Sequence, residues 1–108
     1  MKNSSGIFHL NDILNKLDRL DKHEYFINFL DTQKIEAGII KLKLDEIDEQ
    51  TFHENDEIYY IIQGKGKIEI NKKMENVKEM DIIFIPKFTE HKFISESNEI
   101  IILYILAG

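Results

Sequence analysis

The spacing of apolar residues changes near residue 24 and divides the chain into two parts. In the first part, apolar residues recur at the i, i+3, i+4 and i+7 positions of one helix face. These residues are Leu10, Ile13, Leu14, Leu17 and Leu20. The spacing predicts a helix over about residues 11–20, capped by Asn11 or Asp12. We therefore expect residues 1–24 to form a helical extension that packs outside the main domain.

From Tyr25 onward, the pattern has the period of β-strands. Ile40 and Leu42 alternate with Lys41 and Lys43, which predicts a strand with one face in water. Further strands are predicted at 58–62, 67–70, 82–85, 91–93 and 100–106, with turns at 64–66 and 71–73. The strand at 82–85 is apolar on both faces and should be buried. Short strands at this spacing are typical of a sandwich or barrel, so residues 25–108 are predicted to form an all-β barrel.

Composition narrows the classes of partner. Acidic residues outnumber basic ones by 20 to 14, and a net charge of −6 argues against nucleic-acid binding. The longest apolar run, 100–106, is far shorter than the roughly 20 residues of a membrane helix. No secretory signal is evident in the first residues. Cysteine is absent, which excludes thiolate ligands and fits a cytoplasmic location.

The chain has four histidines, and two of them have the setting of metal ligands. His9 and His23 lie in or beside the predicted helix without an acidic partner, so we interpret them as surface or helix-capping residues. His53, by contrast, precedes Glu57, which opens an apolar strand. His91 follows a short turn after Pro86 and alternates in phase with Phe93. Alternation places Glu57, Tyr59 and Ile61 on one face of their strand, so the carboxylate should be partly buried and in need of a cation.

Two ordered motifs then identify a family. They are HENDEIYYIIQGKGKIEI, which contains His53, Glu57 and Gly64, and MDIIFIPKFTEHKF, which ends just past His91. Over residues 36–106 the chain resembles a small single-domain cupin. The resemblance implies a double-stranded β-helix, a jelly-roll barrel, here with one N-terminal α-helix. It also implies one divalent metal ion (Fe, Mn, Ni or Zn) held by His53, Glu57 and His91.

The chain departs from the family pattern at several positions. Thr51 stands where the family has its first motif histidine, and a neutral hydroxyl is a poor substitute for imidazole. The remaining set of two histidines and one carboxylate is still complete for non-haem iron or catalytic zinc. Met80 and Phe88 replace family glycines, so we expect those two turns to differ from the family form. The alternative is a barrel that has lost its metal, with His53 on the surface and Glu57 paired with a lysine.

The resemblance implies a metal-dependent enzyme that acts on a small molecule, of dioxygenase, isomerase or decarboxylase type. The alternative is a cupin that binds or senses a small molecule without catalysis, with or without a metal. Tyr59 is a candidate catalytic acid or hydrogen-bond donor, or else a barrel-lining aromatic with a satisfied hydroxyl. Tyr59, Ile61 and Phe93 are the candidate substrate-pocket residues. A homodimer is also implied, with no nucleic-acid or membrane partner.

Overall fold

The computed structural model describes residues 5–21, 24–48 and 53–108. Two antiparallel sheets face each other as a jelly-roll barrel, which confirms the predicted fold class. One sheet has five strands in the order β1-β2-β8-β3-β6, and the other has three in the order β5-β4-β7. The elements are α1 (Leu10–Asp18), β1 (Phe26–Asp31), β2 (Ile35–Lys43), β3 (Glu57–Gln63), β4 (Lys65–Ile70), β5 (Lys73–Lys78), β6 (Ile82–Ile85), β7 (His91–Ser95) and β8 (Glu99–Ala107).

The core lies between the two sheets and is formed by the inward face of each strand. Tyr59 and Ile61 of β3 face Ile68 of β4 and Phe93 of β7, and all four are almost completely buried. The rings of Tyr59 and Phe93 meet edge to face with centroids 4.7 Å apart. The alternation predicted from the sequence is therefore confirmed for β3 and β7. In both strands, every second residue is buried in this core.

The helix α1 lies against the outer face of the five-stranded sheet. Ile13 packs with Ile39 of β2 and Ile101 of β8, so both faces of the middle of β2 are buried. The expected wet face is confirmed at Lys43, which is exposed, whereas Lys41 is half-buried beside Asp18 of α1 and Ile39 lies under the helix. Among the described residues, α1 is the one helix, and it is too short to cross a membrane.

The predicted helix cap is also wrong. His9 occupies the N-cap position without a side-chain cap, and its carbonyl accepts hydrogen bonds from the amides of Asp12 and Ile13. The helix begins at Leu10 because that residue belongs to the apolar face that packs on the barrel. His9 is exposed, as expected. His23, which the sequence places in or beside the helix, lies outside the described residues.

Strand β6 differs from its prediction as a buried strand. Its inner residue Ile85 is buried, but Ile82 and Phe84 are 72% and 60% exposed. The reason is its place at the edge of the five-stranded sheet, beyond the area that α1 covers. Continuous apolar sequence could not distinguish a strand between two layers from an edge strand with a bare outer face.

The turns at Met80 and Phe88 retain a backbone conformation that glycine adopts easily. Their φ angles are 75° and 64°, in the left-handed region. The expected difference from the family form of these turns stays a prediction. Each residue donates a backbone hydrogen bond of 2.8 Å, Met80 to the carbonyl of Ile61 and Phe88 to that of His53. Left-handed geometry costs a non-glycine residue roughly 1–2 kcal/mol, and these bonds offset it.

The β4–β5 hairpin provides a test of the same strain away from the metal ligands. Asn71 and Lys72 both have positive φ, 49° and 69°, as in the two-residue turns that favour Asn-Gly. We expect Lys72→Gly to stabilise the fold by about 1 kcal/mol, since glycine relieves the left-handed strain. Thermal unfolding should show a melting temperature higher by roughly 4 °C.

The matched control is Lys73→Gly, which removes the same charge from the first residue of β5. There the backbone is an ordinary strand, so glycine should destabilise by about 0.5–1 kcal/mol. A lower melting temperature for Lys72→Gly than for wild type would contradict the strain argument.

Candidate metal centre

The structure brings His53, Glu57 and His91 together at one place in the barrel. One ligand atom from each of the three lies within 4.8 Å of the other two. Oε1 of Glu57 is 3.2 Å from Nε2 of His91 and 3.8 Å from Nε2 of His53. Glu57 and His91 are buried, whereas the His53 side chain is 30% exposed. The three groups therefore surround a small space that is open to solvent on the His53 side.

Both sheets contribute to this cluster. Glu57 is the first residue of β3 and is paired with Ile85 of β6 and Leu106 of β8, so ladders on both sides hold it. His91 is the first residue of β7, in the other sheet, and is paired with Ile70 of β4. Because the inner faces of the two sheets meet here, residues 34 positions apart in the chain become neighbours.

His53 is outside the regular strands, and the loop that carries it is fixed by the β6–β7 turn. The amide of Phe88 donates to the His53 carbonyl, and the amide of Lys87 donates to Oδ1 of Asp56 at 3.0 Å. Asp56 in turn accepts a hydrogen bond at its carbonyl from the amide of Ala107 in β8. The left-handed turn at Phe88 thus helps to hold His53 beside His91, with ring centroids 5.9 Å apart.

Hydrogen bonding determines which nitrogen of His91 faces the cluster as an acceptor. Nδ1 lies 2.9 Å from the carbonyl oxygen of Thr89, which can only accept, so Nδ1 carries a proton. In the neutral ring, Nε2 then presents its lone pair to the cluster. Such a bond from Nδ1 to a carbonyl is the usual way in which proteins orient a metal-ligating histidine.

The carboxylate of Glu57 supplies the test of whether a metal fits. Its Oε1 is buried and has no hydrogen-bond partner among the described residues, although it lies 3.2 Å from Nε2 of His91. Two lone pairs at this distance repel unless a positive charge lies between them. A proton on His91 or a divalent cation meets that need, and two histidines with one glutamate suit Zn²⁺ or Fe²⁺. The residues present therefore fit a divalent ion.

Tyr59 lies directly beside the cluster. Its hydroxyl is 2.7 Å from Nε2 of His91, and with that nitrogen unprotonated the hydroxyl is the donor. Burial raises the pKa of Tyr59 far above its ordinary value, and the neighbouring Glu57 raises it further. The phenol is therefore neutral across the physiological range and acts as a donor.

The remaining candidate residues have clear positions but untested roles. Ile61 and Phe93 line the same interior as Tyr59 and are fully buried in its core. Their assignment to a substrate pocket stays a prediction. Thr51 lies outside the described residues.

Sequence reasoning missed a second buried carboxylate. Asp48 has no exposed surface, and its Oδ1 accepts a 2.7 Å hydrogen bond from the hydroxyl of Tyr25. No apolar pattern surrounds Asp48, and it lies in an acidic stretch, so nothing in its neighbourhood indicates burial. Only the closure of the barrel places it inside.

Comparison with known proteins identifies similar sequences and structures that cover most of the barrel. A family described as the cupin domain matches residues 38–107. An uncharacterised protein of Streptomyces coelicolor is 25% identical over 81 residues, covering 73% of this chain and 77% of that protein. A cupin protein from Bacteroides fragilis superposes with a TM-score of 0.72 at 20% identity, covering 100% of this chain and 86% of its own. The DMSP lyase DddQ from Ruegeria pomeroyi superposes with a TM-score of 0.70 at 16% identity, covering 83% of this chain and 51% of its own. At these identities, the structural likenesses show a shared fold.

The pKa of His91 leads to a pH-dependent prediction for protein stripped of metal. Burial lowers this pKa, but the adjacent Glu57 carboxylate and the hydrogen bond to the Thr89 carbonyl outweigh it, so the net shift is upward from 6.5. The resulting stabilisation is complete below the unfolded-state pKa and is lost as pH rises through the folded-state pKa. We expect the free energy of unfolding to fall between about pH 6 and about pH 8 more steeply in wild type than in His91→Gln. Urea unfolding of chelator-treated protein measures this, and parallel curves for the two proteins would contradict it.

Proposed function

The chain belongs to the cupin family, and from that premise we propose that it is a metal-dependent enzyme acting on a small molecule. One divalent ion would be held by His53, Glu57 and His91. The observation that carries the proposal is the buried Oε1 of Glu57, which has no hydrogen-bond partner among the described residues and points between two imidazoles. A carboxylate in this position is costly without a cation, and the geometry offers three ligands to one.

When bound, the ion would act as a Lewis acid or an oxygen-activating centre. Three protein ligands leave coordination positions for a small molecule, which suits catalysis better than a purely structural site. His53 is on the exposed side of the cluster, so it is also on the side from which a small molecule can approach. Glu57 and His91 form the buried side of the cluster, so solvent would not reach the ion from that side.

Tyr59 is the candidate acid or hydrogen-bond donor of this site. Its hydroxyl donates a hydrogen bond to Nε2 of His91. A cation bound to that nitrogen would occupy its lone pair, and the hydroxyl could then donate to another acceptor. An oxygen atom of a small molecule beside the ion would be that acceptor. Tyr59→Phe removes the donor and leaves the ring that packs on Phe93.

Three reaction types follow from the cupin resemblance, namely dioxygenation, isomerisation and decarboxylation. A lyase is among the solved proteins that share this fold, which supports the use of such a barrel for catalysis but carries no reaction over. A cupin that binds or senses a small molecule would use the same metal site without turnover. Oxygen consumption or product formation with candidate small acids distinguishes the enzyme from the binding protein.

Metal binding itself has a direct test. We expect Zn²⁺ or Mn²⁺ to raise the melting temperature of the wild-type protein, because a ligand that binds only the folded state stabilises it. The gain should disappear in Glu57→Gln and His91→Ala and should shrink as pH falls through the histidine range.

The matched control is His9→Ala, which removes an exposed imidazole outside the barrel. It should respond to metal as the wild type does. Equal thermal shifts in His91→Ala and His9→Ala would mean that the metal binds unspecifically, and the proposed site would then be wrong.

We also propose that the chain forms a homodimer through the bare outer face of β3 and β6. Ile58, Ile82 and Phe84 lie on this face, and Met80 and Phe88 flank β6 in the sequence. These five apolar side chains are 44–76% exposed and together leave on the order of 600 Å² uncovered, close to the ~800 Å² that each partner buries in a standard interface. An exposed apolar sheet face can pair with its own copy, although each chain carries a net charge of −6.

Light scattering of the purified protein tests this interface. Wild type should have the mass of a dimer, and Phe84→Lys should reduce it to a monomer, because a lysine ammonium resists burial. Leu44→Lys is the control, since Leu44 is 52% exposed in the turn after β2. A monomeric wild type, or dimers in all three proteins, would rule this interface out.

A further inference from the structure

Asp48 is a buried carboxylate that the proposed metal ligands do not include. It has no exposed surface. Its Oδ1 accepts the hydrogen bond from Tyr25, whereas its Oδ2 is buried without a hydrogen-bond partner among the described residues. Buried polar atoms are nearly always partnered, so this oxygen calls for a physical explanation.

The backbone places Asp48 on the inner side of the barrel. Its amide donates a 2.9 Å hydrogen bond to the carbonyl of Phe93, and Ile47 forms an antiparallel bridge with Ile94. Asp48 is therefore opposite Phe93, whose ring faces inward against Tyr59. Since His91 precedes Phe93 by two residues on the same face, Asp48 and the metal cluster share one interior.

The charges around Asp48 come from this cluster. His91, Glu57 and His53 all act on it electrostatically. Burial raises the pKa of Asp48, and the hydrogen bond from Tyr25 opposes that rise. Without a nearby cation, an ionised Asp48 is unfavourable both because it is desolvated and because Glu57 carries the same charge.

With a divalent ion bound to His53, Glu57 and His91, the charges at the site do not cancel. Two neutral imidazoles and the single negative charge of Glu57 leave a divalent ion with one uncompensated positive charge, in a space bounded by buried side chains except on the His53 side. Low-dielectric surroundings make that excess costly. A second carboxylate that shares the interior cancels it without occupying a coordination position.

We propose that Asp48 is the counter-charge of the metal centre, a positioning residue that makes the loaded site neutral while Tyr25 holds it in place. The inference rests on the proposed metal site. Asp48 would attract the divalent ion electrostatically without coordinating it. The ligands would be His53, Glu57 and His91.

The test is Asp48→Asn, which keeps the shape and removes the charge. Calorimetric titration of the metal-stripped full chain with Zn²⁺ or Mn²⁺ alone should show affinity reduced roughly 10- to 100-fold with unchanged stoichiometry. The melting temperature of the metal-free variant should rise, because a neutral amide costs less to bury than a carboxylate. A purely structural role predicts the opposite change in metal-free stability.

Asp31→Asn is the matched control, since it removes the same charge from an exposed residue of β1. Water and salt screen that position, so its affinity should stay within about twofold of wild type. If Asp48→Asn fails to fold, Asp48→Ser carries the same expectation for affinity, because it is also neutral.

The possible failures are distinguishable. Equal affinities for wild type and Asp48→Asn overturn the counter-charge and leave the metal site intact. A loss as complete as that of His91→Ala makes Asp48 a ligand and also overturns it. If the wild type binds no metal, both the counter-charge and the proposed function fall.

Discussion

The unpartnered carboxylate of Glu57 is the constraint on which the site depends. It is held inside the barrel by pairing on both sides of β3, so it cannot turn to water without breaking the ladders to β6 and β8. Its nearest polar neighbour, His91, belongs to the opposite sheet. A positive charge placed between them would therefore join the two sheets, and metal binding would be coupled to the stability of the barrel.

The backbone beside this site contains a strained residue, and its hydrogen bond to the loop that carries His53 explains the strain. Phe88 adopts a left-handed conformation although it is not glycine, and in that conformation its amide bonds to the carbonyl of His53. The turn after β6 and the loop before β3 are thus tied together. Strain of this kind persists where the surrounding structure requires a certain geometry, and here that geometry brings a loop histidine towards two strand residues.

The two surfaces of the five-stranded sheet have different surroundings. The inner surface faces the core and is apolar except near Glu57, which lies beside His91 of the opposite sheet. The outer surface is covered by α1 over β2 and β8, and the helix leaves β6 bare. Burial of two carboxylates inside and exposure of large apolar side chains outside both run against the stability of an isolated chain, which is why each suggests a partner.

Local patterns in the sequence determined much of this structure. Period-2 alternation predicted which residues of β3 and β7 face inward, because a strand directs successive side chains to opposite sides whatever it pairs with. Motif order placed His53, Glu57 and His91 in one cluster through the family resemblance, and the structure brings the three together. The tertiary structure alone decided what covers each face. It made β6 an edge strand, covered the outer face of β2 with α1 and enclosed Asp48. Burial depends on which elements lie opposite one another, and no local pattern records that.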